Sequence, residues 1–187
     1  CLLLGGFCKA STSRLDSLNE AFRSAKNDTM RVDVLLNMAN VLYLQNTDSA
    51  KKLWLKADQI IDKALHRDSL SPISKFYTQR LVFFKSGTTG GLGYIYFVTG
   101  NPDKGLKYTQ TSINYLKRFG GITKELGLAY NNIGYMNTER GDLYTAIHYY
   151  DSGLVIQKQL KDTDGFSNVI NNLGYSYQQL QDSSKAM

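Results

Sequence analysis

Residues 131–142 read NNIGYMNTERGD and residues 171–182 read NNLGYSYQQLQD, so Gly134 and Gly174 occupy the same five-residue frame 40 positions apart. Searching backward from them, GGLGY places Gly93 41 positions before Gly134. Recurrence at this interval marks a chain built from stacked copies of one supersecondary unit. Other positions then fall into register. Twelve residues beyond the three glycines stand Gly105, Ala146 and Ala186, and seven beyond stand Gly100, Gly141 and Gln181.

Small residues at such intervals have a mechanical meaning, because two antiparallel helices approach closely only where side chains are nearly absent at the crossing. The pairs Gly100-Asn101 and Gly141-Asp142 supply a helix stop followed at once by a new N-cap, the punctuation of a tight helical hairpin. Ala50, Leu53, Trp54, Ala57, Ile61, Ala64 and Leu65 recur at three and four, as do Leu143, Ala146, Ile147, Tyr150, Gly153 and Leu154. These stripes predict amphipathic second helices whose apolar side forms the core.

An apolar residue followed by Gly, Tyr three on, Gly at the turn, Ala at the twelfth step and an aromatic four later resembles the tetratricopeptide repeat. The residues that carry the resemblance are Ile133, Gly134, Gly141, Ala146 and Tyr150 in one unit and Leu173, Gly174, Tyr177 and Ala186 in the next. An earlier unit fits with Ala39, Ala50, Trp54 and Ala57. The spacing is similar to the long-period repeats of kinesin light chains and of bacterial peptide-sensing regulators. The resemblance implies an all-α fold, a right-handed superhelix of antiparallel helix pairs with no sheet. Departures from the pattern are Asn137 for a core Tyr, Gly105 and Gly153 for Ala, and Gln181 for the turn Gly. The run Gly87, Thr88, Thr89, Gly90, Gly91 predicts a kink or break in a first helix, given the low helix propensity of glycine.

The expected organisation is a remnant of a secretory signal over 1–10, a leader helix within 11–29, and a repeat array over 30–187 with units at 30–66, 73–119, 124–160 and 165–187. The opening CLLLGGFCKA is an apolar run with Cys8 and Ala10 where a signal peptidase needs small residues. Phe7 disfavours lipid attachment at Cys8, and the alternative is the first buried helix of a cytoplasmic protein. SRLDSLNEAFRSAK predicts an amphipathic helix from Ser13 to Lys26, with Asp28 or Thr29 capping the next. Asp16-Ser17-Leu18 followed by Lys26-x-Asp28-Thr29-x-Arg31-Val32 resembles the leader before repeat arrays in exported sensors of Gram-negative bacteria. The chain is expected to be a fragment of a longer protein, lying on the periplasmic or extracytoplasmic side of the envelope.

Composition narrows the chemistry. The net charge of +6 and a pI near 9.2 raise the question of nucleic acid, but Lys and Arg are dispersed over mixed helical stretches, so no nucleic-acid partner is expected. No segment has the roughly 20 apolar residues a membrane span needs, and no membrane contact by the mature chain is expected. Both cysteines lie in the first eight residues, which excludes a disulfide framework for the body of the chain. LVFFKSGTTGGLGYIYF lacks the Gly and Lys spacing of a phosphate loop, and Tyr96 stands where a dinucleotide fingerprint needs a small residue. His66 suits a helix C-terminus and His148 an exposed helix face. No Ser or Thr sits in a nucleophile elbow or near a His in a recognisable pattern. No catalytic residue, cofactor or metal is therefore expected.

A stacked array exposes one face of each first helix to a ligand. By helical spacing that face carries Asn131, Tyr135 and Thr138 in one unit, Asn171, Tyr175 and Gln178 in the next, and Tyr94 and Phe97 in the one before, where Gly90 takes the place of the asparagine. Asn offers a donor and an acceptor to an extended peptide backbone; Tyr adds contact area at low entropy cost. In kinesin light chain-like repeats matching asparagines hold the peptide, which is what the resemblance implies for Asn131 and Asn171. The competing reading is that Asn132 and Asn172 bridge neighbouring helices and the tyrosines pack between units. The expected function is a noncatalytic module that binds a protein or peptide, the exported sensing or scaffolding part of an envelope signalling regulator. The alternatives are the input domain of a sensor histidine kinase and a free periplasmic scaffold.

Overall fold

The computed structural model describes residues 2–70, 75–119 and 121–185. Among them the fold is all-α, with eight helices and no strand: α1 Leu2–Ser24, α2 Asp28–Leu42, α3 Thr47–Leu70, α4 Lys75–Val98, α5 Pro102–Phe119, α6 Lys124–Glu139, α7 Leu143–Leu160 and α8 Thr163–Lys185. They fall into two compact units, Cys1–Leu92 and Gly93–Met187, divided within α4.

In the first unit α1 begins at Leu2 rather than Ser13 and stops at Ser24. The cap of α2 is neither Asp28 nor Thr29 but Asn27. Its backbone is extended at φ −144°, and its Oδ1 accepts from the Met30 N–H at 2.9 Å and the Thr29 hydroxyl at 2.7 Å. Asp28 and Thr29 are already inside the first turn. Asn46 caps α3 through the Ser49 N–H at 2.9 Å. Ala39 on α2 and Ala50 on α3 are both fully buried, and Val32, Leu35, Ala57, Ile61, Ala64, Leu81 and Phe84 form the core cluster of this unit.

The break expected at 87–91 does not occur: α4 runs through it without interruption. Thr88 and Thr89 are buried and return their hydroxyls to the Lys85 carbonyl at 2.9 and 2.7 Å. Gly91 has a packing reason, since a Cβ there would lie 2.7 Å from the Trp54 ring. Glycine costs a helix roughly 1 kcal/mol per residue, and at Gly91 the ring from α3 takes the space a side chain would need.

The second unit is punctuated three times in one way. At the end of α4 the Asn101 N–H bonds the Tyr96 carbonyl at 2.8 Å and the Gly100 N–H that of Phe97 at 3.2 Å. After α6, Asp142 and Gly141 make the same pair to Asn137 and Thr138, and after α7, Asp162 and Lys161 make it to Gln157 and Lys158. This motif puts its next-to-last residue in the left-handed region, and Gly100 (φ 86°), Gly141 (φ 80°) and Lys161 (φ 54°) occupy it. Asn101, Asp142 and Asp162 then open the following helix, with the Asp142 side chain accepting from the Thr145 N–H. Where Gln181 replaces the glycine no turn forms, and α8 continues to Lys185.

The crossings follow the register at two of the three glycines. A Cβ on Gly93 would stand 2.3 Å from the Thr109 hydroxyl and 3.1 Å from the Gly105 carbonyl, and one on Gly105 would stand 2.8 Å from the Gly93 carbonyl. On α6 and α7, a Cβ on Gly134 would meet the Tyr150 ring at 2.6 Å, and Ala146 is fully buried beside it. Gly174 departs from the expectation: it is exposed, with nothing within 4 Å of a Cβ position. Its counterpart at the twelfth step, Ala186, lies outside the described residues.

Candidate binding face

Helix α6 presents two sides of different character. Gly134 and, one turn later, Thr138 belong to the packed side. Thr138 is 3% exposed, so it leaves the ligand face on which the sequence placed it. Its hydroxyl lies 3.2 Å from the Tyr150 hydroxyl and 2.8 Å from that of Ser176, joining α6 to α7 and α8. The physical reason is angular: a residue four beyond Gly134 shares the direction in which Gly134 faces its neighbour.

Asn131 and Tyr135 lie further round the helix. Tyr135 is 36% exposed, and its ring stands edge-on to that of the partly buried Phe97, centroids 6.0 Å apart and planes at 63°. Such T-shaped pairs favour a defined ring orientation while leaving one face open. Burial, then the negative charge of Glu139 and the phenols of Tyr94 and Tyr175, holds the Tyr135 hydroxyl above its ordinary value. Glu139, an exposed residue one turn beyond Tyr135, belongs to this face and was missed in the sequence; its i+4 relation to Tyr135 was the available signal. Tyr94 is half-buried, Tyr175 is 51% exposed, and Asn171 and Gln178 are exposed on α8.

The asparagine doublets interlock. The Asn172 amide donates to the Asn131 Oδ1 at 2.9 Å, so the second Asn of one doublet holds the first Asn of the other. Bridging of neighbouring helices therefore accounts for Asn172 and for one polar atom of Asn131, which is half-buried, while Asn171 is exposed. The structure brings Tyr94, Phe97, Asn131, Tyr135, Glu139 and Tyr175 together, and turns Thr138 inward.

Other polar groups lie elsewhere. Lys85 is buried between Asp58 at 2.8 Å and Asp62 at 2.7 Å, and Thr88 donates to Asp58 at 2.9 Å. Burial pulls the Lys85 ammonium down, but its hydrogen bonds and charge contacts to Asp58 and Asp62 outweigh this and hold it above its ordinary value. His66 and His148 are exposed, with the His148 ring 6.0 Å from that of Tyr149. Among the described residues no three His, Cys, Asp or Glu converge as metal ligands, and no helix is long and apolar enough to cross a membrane.

No protein-family model and no curated protein matches this chain. Among solved structures it is similar to a signal transduction ATPase with numerous domains (STAND) that has a tetratricopeptide repeat sensor, from Pyrococcus horikoshii. The TM-score is 0.71 at 18% identity, covering 99% of this chain and 26% of that one. It is also similar to BtubC (BKLC) from P. vanneervenii, with a TM-score of 0.64 at 17% identity over 99% of this chain and 70% of that one. The chain thus spans about a quarter of the length of the first. At these identities the likeness is one of fold, and the fold is that of a tetratricopeptide-like helical repeat.

Proposed function

We propose that this chain is a protein- or peptide-binding repeat module whose ligand lies across the first helices of the second unit, over Tyr94, Phe97, Asn131, Tyr135, Asn171 and Tyr175. The observation that carries the reading is the edge-on Phe97–Tyr135 pair, left half open on the helix that carries Asn131 one turn before Tyr135, with Asn171 exposed on α8. Large amphipathic rings with few rotors, next to groups that donate and accept, are what a flexible polar chain binds at modest entropic cost. The intervals of 41 and 40 residues support the long-period type as part of this reading.

A sensing or scaffolding role at the bacterial envelope is part of the same proposal, supported by the signal-like opening CLLLGGFCKA and by the leader resemblance. The STAND protein carries its tetratricopeptide repeats as a sensor, and a comparable input role here suits a regulator or a kinase whose output lies in other sequence. Selection of displayed peptides on the purified chain tests the binding role. Peptides that bind the chain and bind at least tenfold more weakly to Asn131→Ala with Asn171→Ala are expected; unchanged binding removes these residues from the face. Fractionation of the source cells, followed with an antibody raised against this chain, tests export, and a purely cytoplasmic product ends that part.

A further inference from the structure

The chain as a whole carries a net charge of +6, yet its charges are sorted between helices. The first-helix stretches of the second unit, residues 93–98, 124–139 and 163–181, hold one lysine, Lys124, against Glu125, Glu139 and Asp164. That lysine is paired with Asp162 at 3.2 Å. Helix α5, by contrast, carries Lys104, Lys107, Lys117 and Arg118 against Asp103 alone. The excess of positive charge therefore stands off the proposed binding face, where the described residues leave Glu139 exposed and without an ion pair.

Aromatic rings occupy the same face. A ring's π surface is electronegative and attracts a cation placed over it. The second unit shows this pairing elsewhere, built from its own residues: Tyr96 and Tyr108 stack at 5.3 Å, and the Lys104 ammonium sits 4.0 Å from the centre of the Tyr96 ring. Tyr135 and Tyr175 are more open than Tyr96, and Tyr135 stands one turn from the Glu139 carboxylate and feels its charge, on stretches whose one lysine is held by Asp162.

We infer that the partner is an extended basic segment, which sets an arginine or lysine side chain against Tyr135 and Tyr175 with Glu139 as its counter-ion. The rings take the cation's apolar flank and Glu139 takes its charge, and the amides of Asn131 and Asn171 hold the backbone on either side. Arginine is the better fit, because a planar guanidinium stacks on a ring while still donating to a carboxylate. This inference rests on the reading of the face as a binding surface and adds the chemistry of what it binds.

The test is a random dodecapeptide library selected on the whole chain, followed by fluorescence polarisation with the selected peptides. Enrichment of Arg and Lys is expected. Replacing the critical Arg by citrulline should weaken binding about tenfold, in line with a partly desolvated cation–π contact. Glu139→Lys, at an exposed position that leaves packing alone, should weaken it by at least as much, and Tyr135→Leu likewise, with circular dichroism checking that each variant is folded. Neutral or acidic winners that lose affinity in Tyr135→Leu overturn the basic partner and leave the binding face standing. Winners indifferent to both substitutions overturn the face itself. A library that yields no binder removes the module reading and this inference together.

Discussion

The two units use one device in two chemical versions. In the first, the indole of Trp54 on α3 lies over Gly91 of α4; in the second, the phenol of Tyr150 on α7 lies over Gly134 of α6. Each ring has a threonine-centred polar cluster nearby, Thr88 with Asp58 and Lys85 in one and Thr138 with Tyr150 and Ser176 in the other. The first cluster is charged and the second neutral. Trp54 also reaches forward to the next first helix, whereas Tyr150 folds back on its own hairpin. The glycine and the ring set how closely helices meet, and the polar groups around them are interchangeable in kind but different in what disturbs them.

The comparison breaks most severely where a glycine meets backbone instead of a ring. Gly93→Ala puts its Cβ 2.9 Å from the Thr109 backbone nitrogen as well as against the hydroxyl. Backbone cannot swing aside, so a loss of about 3 kcal/mol is expected, at the upper end of overpacking costs, read as a lower urea midpoint.

Lys85→Met should come next. It strands the mostly buried Asp58, and a broken buried pair costs about 3 kcal/mol; Asp62, 58% exposed, adds little. A Lys raised above its ordinary 10.5 stabilises fully below that pH and loses its contribution as pH rises through the raised value. The gap in urea midpoint between the parent and Lys85→Met should therefore be flat from neutral pH to about 10 and close above it. A gap that opens above pH 10 contradicts the charged account.

In the neutral cluster, Tyr150→Phe keeps the ring over Gly134 and removes one hydroxyl from Thr138, which retains Ser176. The expected loss is about 1 kcal/mol, the net value of an ordinary hydrogen bond, again by denaturant titration. A loss as large as that of Lys85→Met erases the distinction between the clusters.

Gly174 gives the smallest effect and the opposite sign. With open space at its Cβ position, Gly174→Ala should raise stability by about 0.5–1 kcal/mol through helix propensity alone, seen as a higher melting temperature. A loss at this position would place it at a crossing after all.

Much of this was legible in the sequence because the features are local or periodic. Gly100 and Gly141 announce left-handed turns, and Asn101 and Asp142 announce the helices that follow. The small residues at the twelfth step, Gly105 and Ala146, lie at their crossings as spacing required. What escaped depends on neighbours brought from elsewhere in the chain. Helix α4 passes through five poor helix formers, where Trp54 of α3 lies over Gly91 and Asp58 of α3 accepts from the Thr88 hydroxyl. Lys161 takes a left-handed turn with no glycine to signal it. Thr138 and Glu139, adjacent in sequence, divide between the packed and the open side of α6, and a face drawn by counting residues chose the buried one. Gly174 repeats the motif, and no packed neighbour meets it among the described residues.

The central claim is that glycine at the crossing exists to admit a specific partner side chain, and a double-mutant cycle on Gly134 and Tyr150 measures this directly. Gly134→Ala alone should cost about 2 kcal/mol, since its Cβ would lie 2.6 Å from the ring. In a Tyr150→Val background, where the ring is gone, the same substitution should cost nothing or stabilise, giving a coupling of about 2 kcal/mol or more. Equal costs in the two backgrounds would show that the glycine does not serve the ring, and would contradict the account.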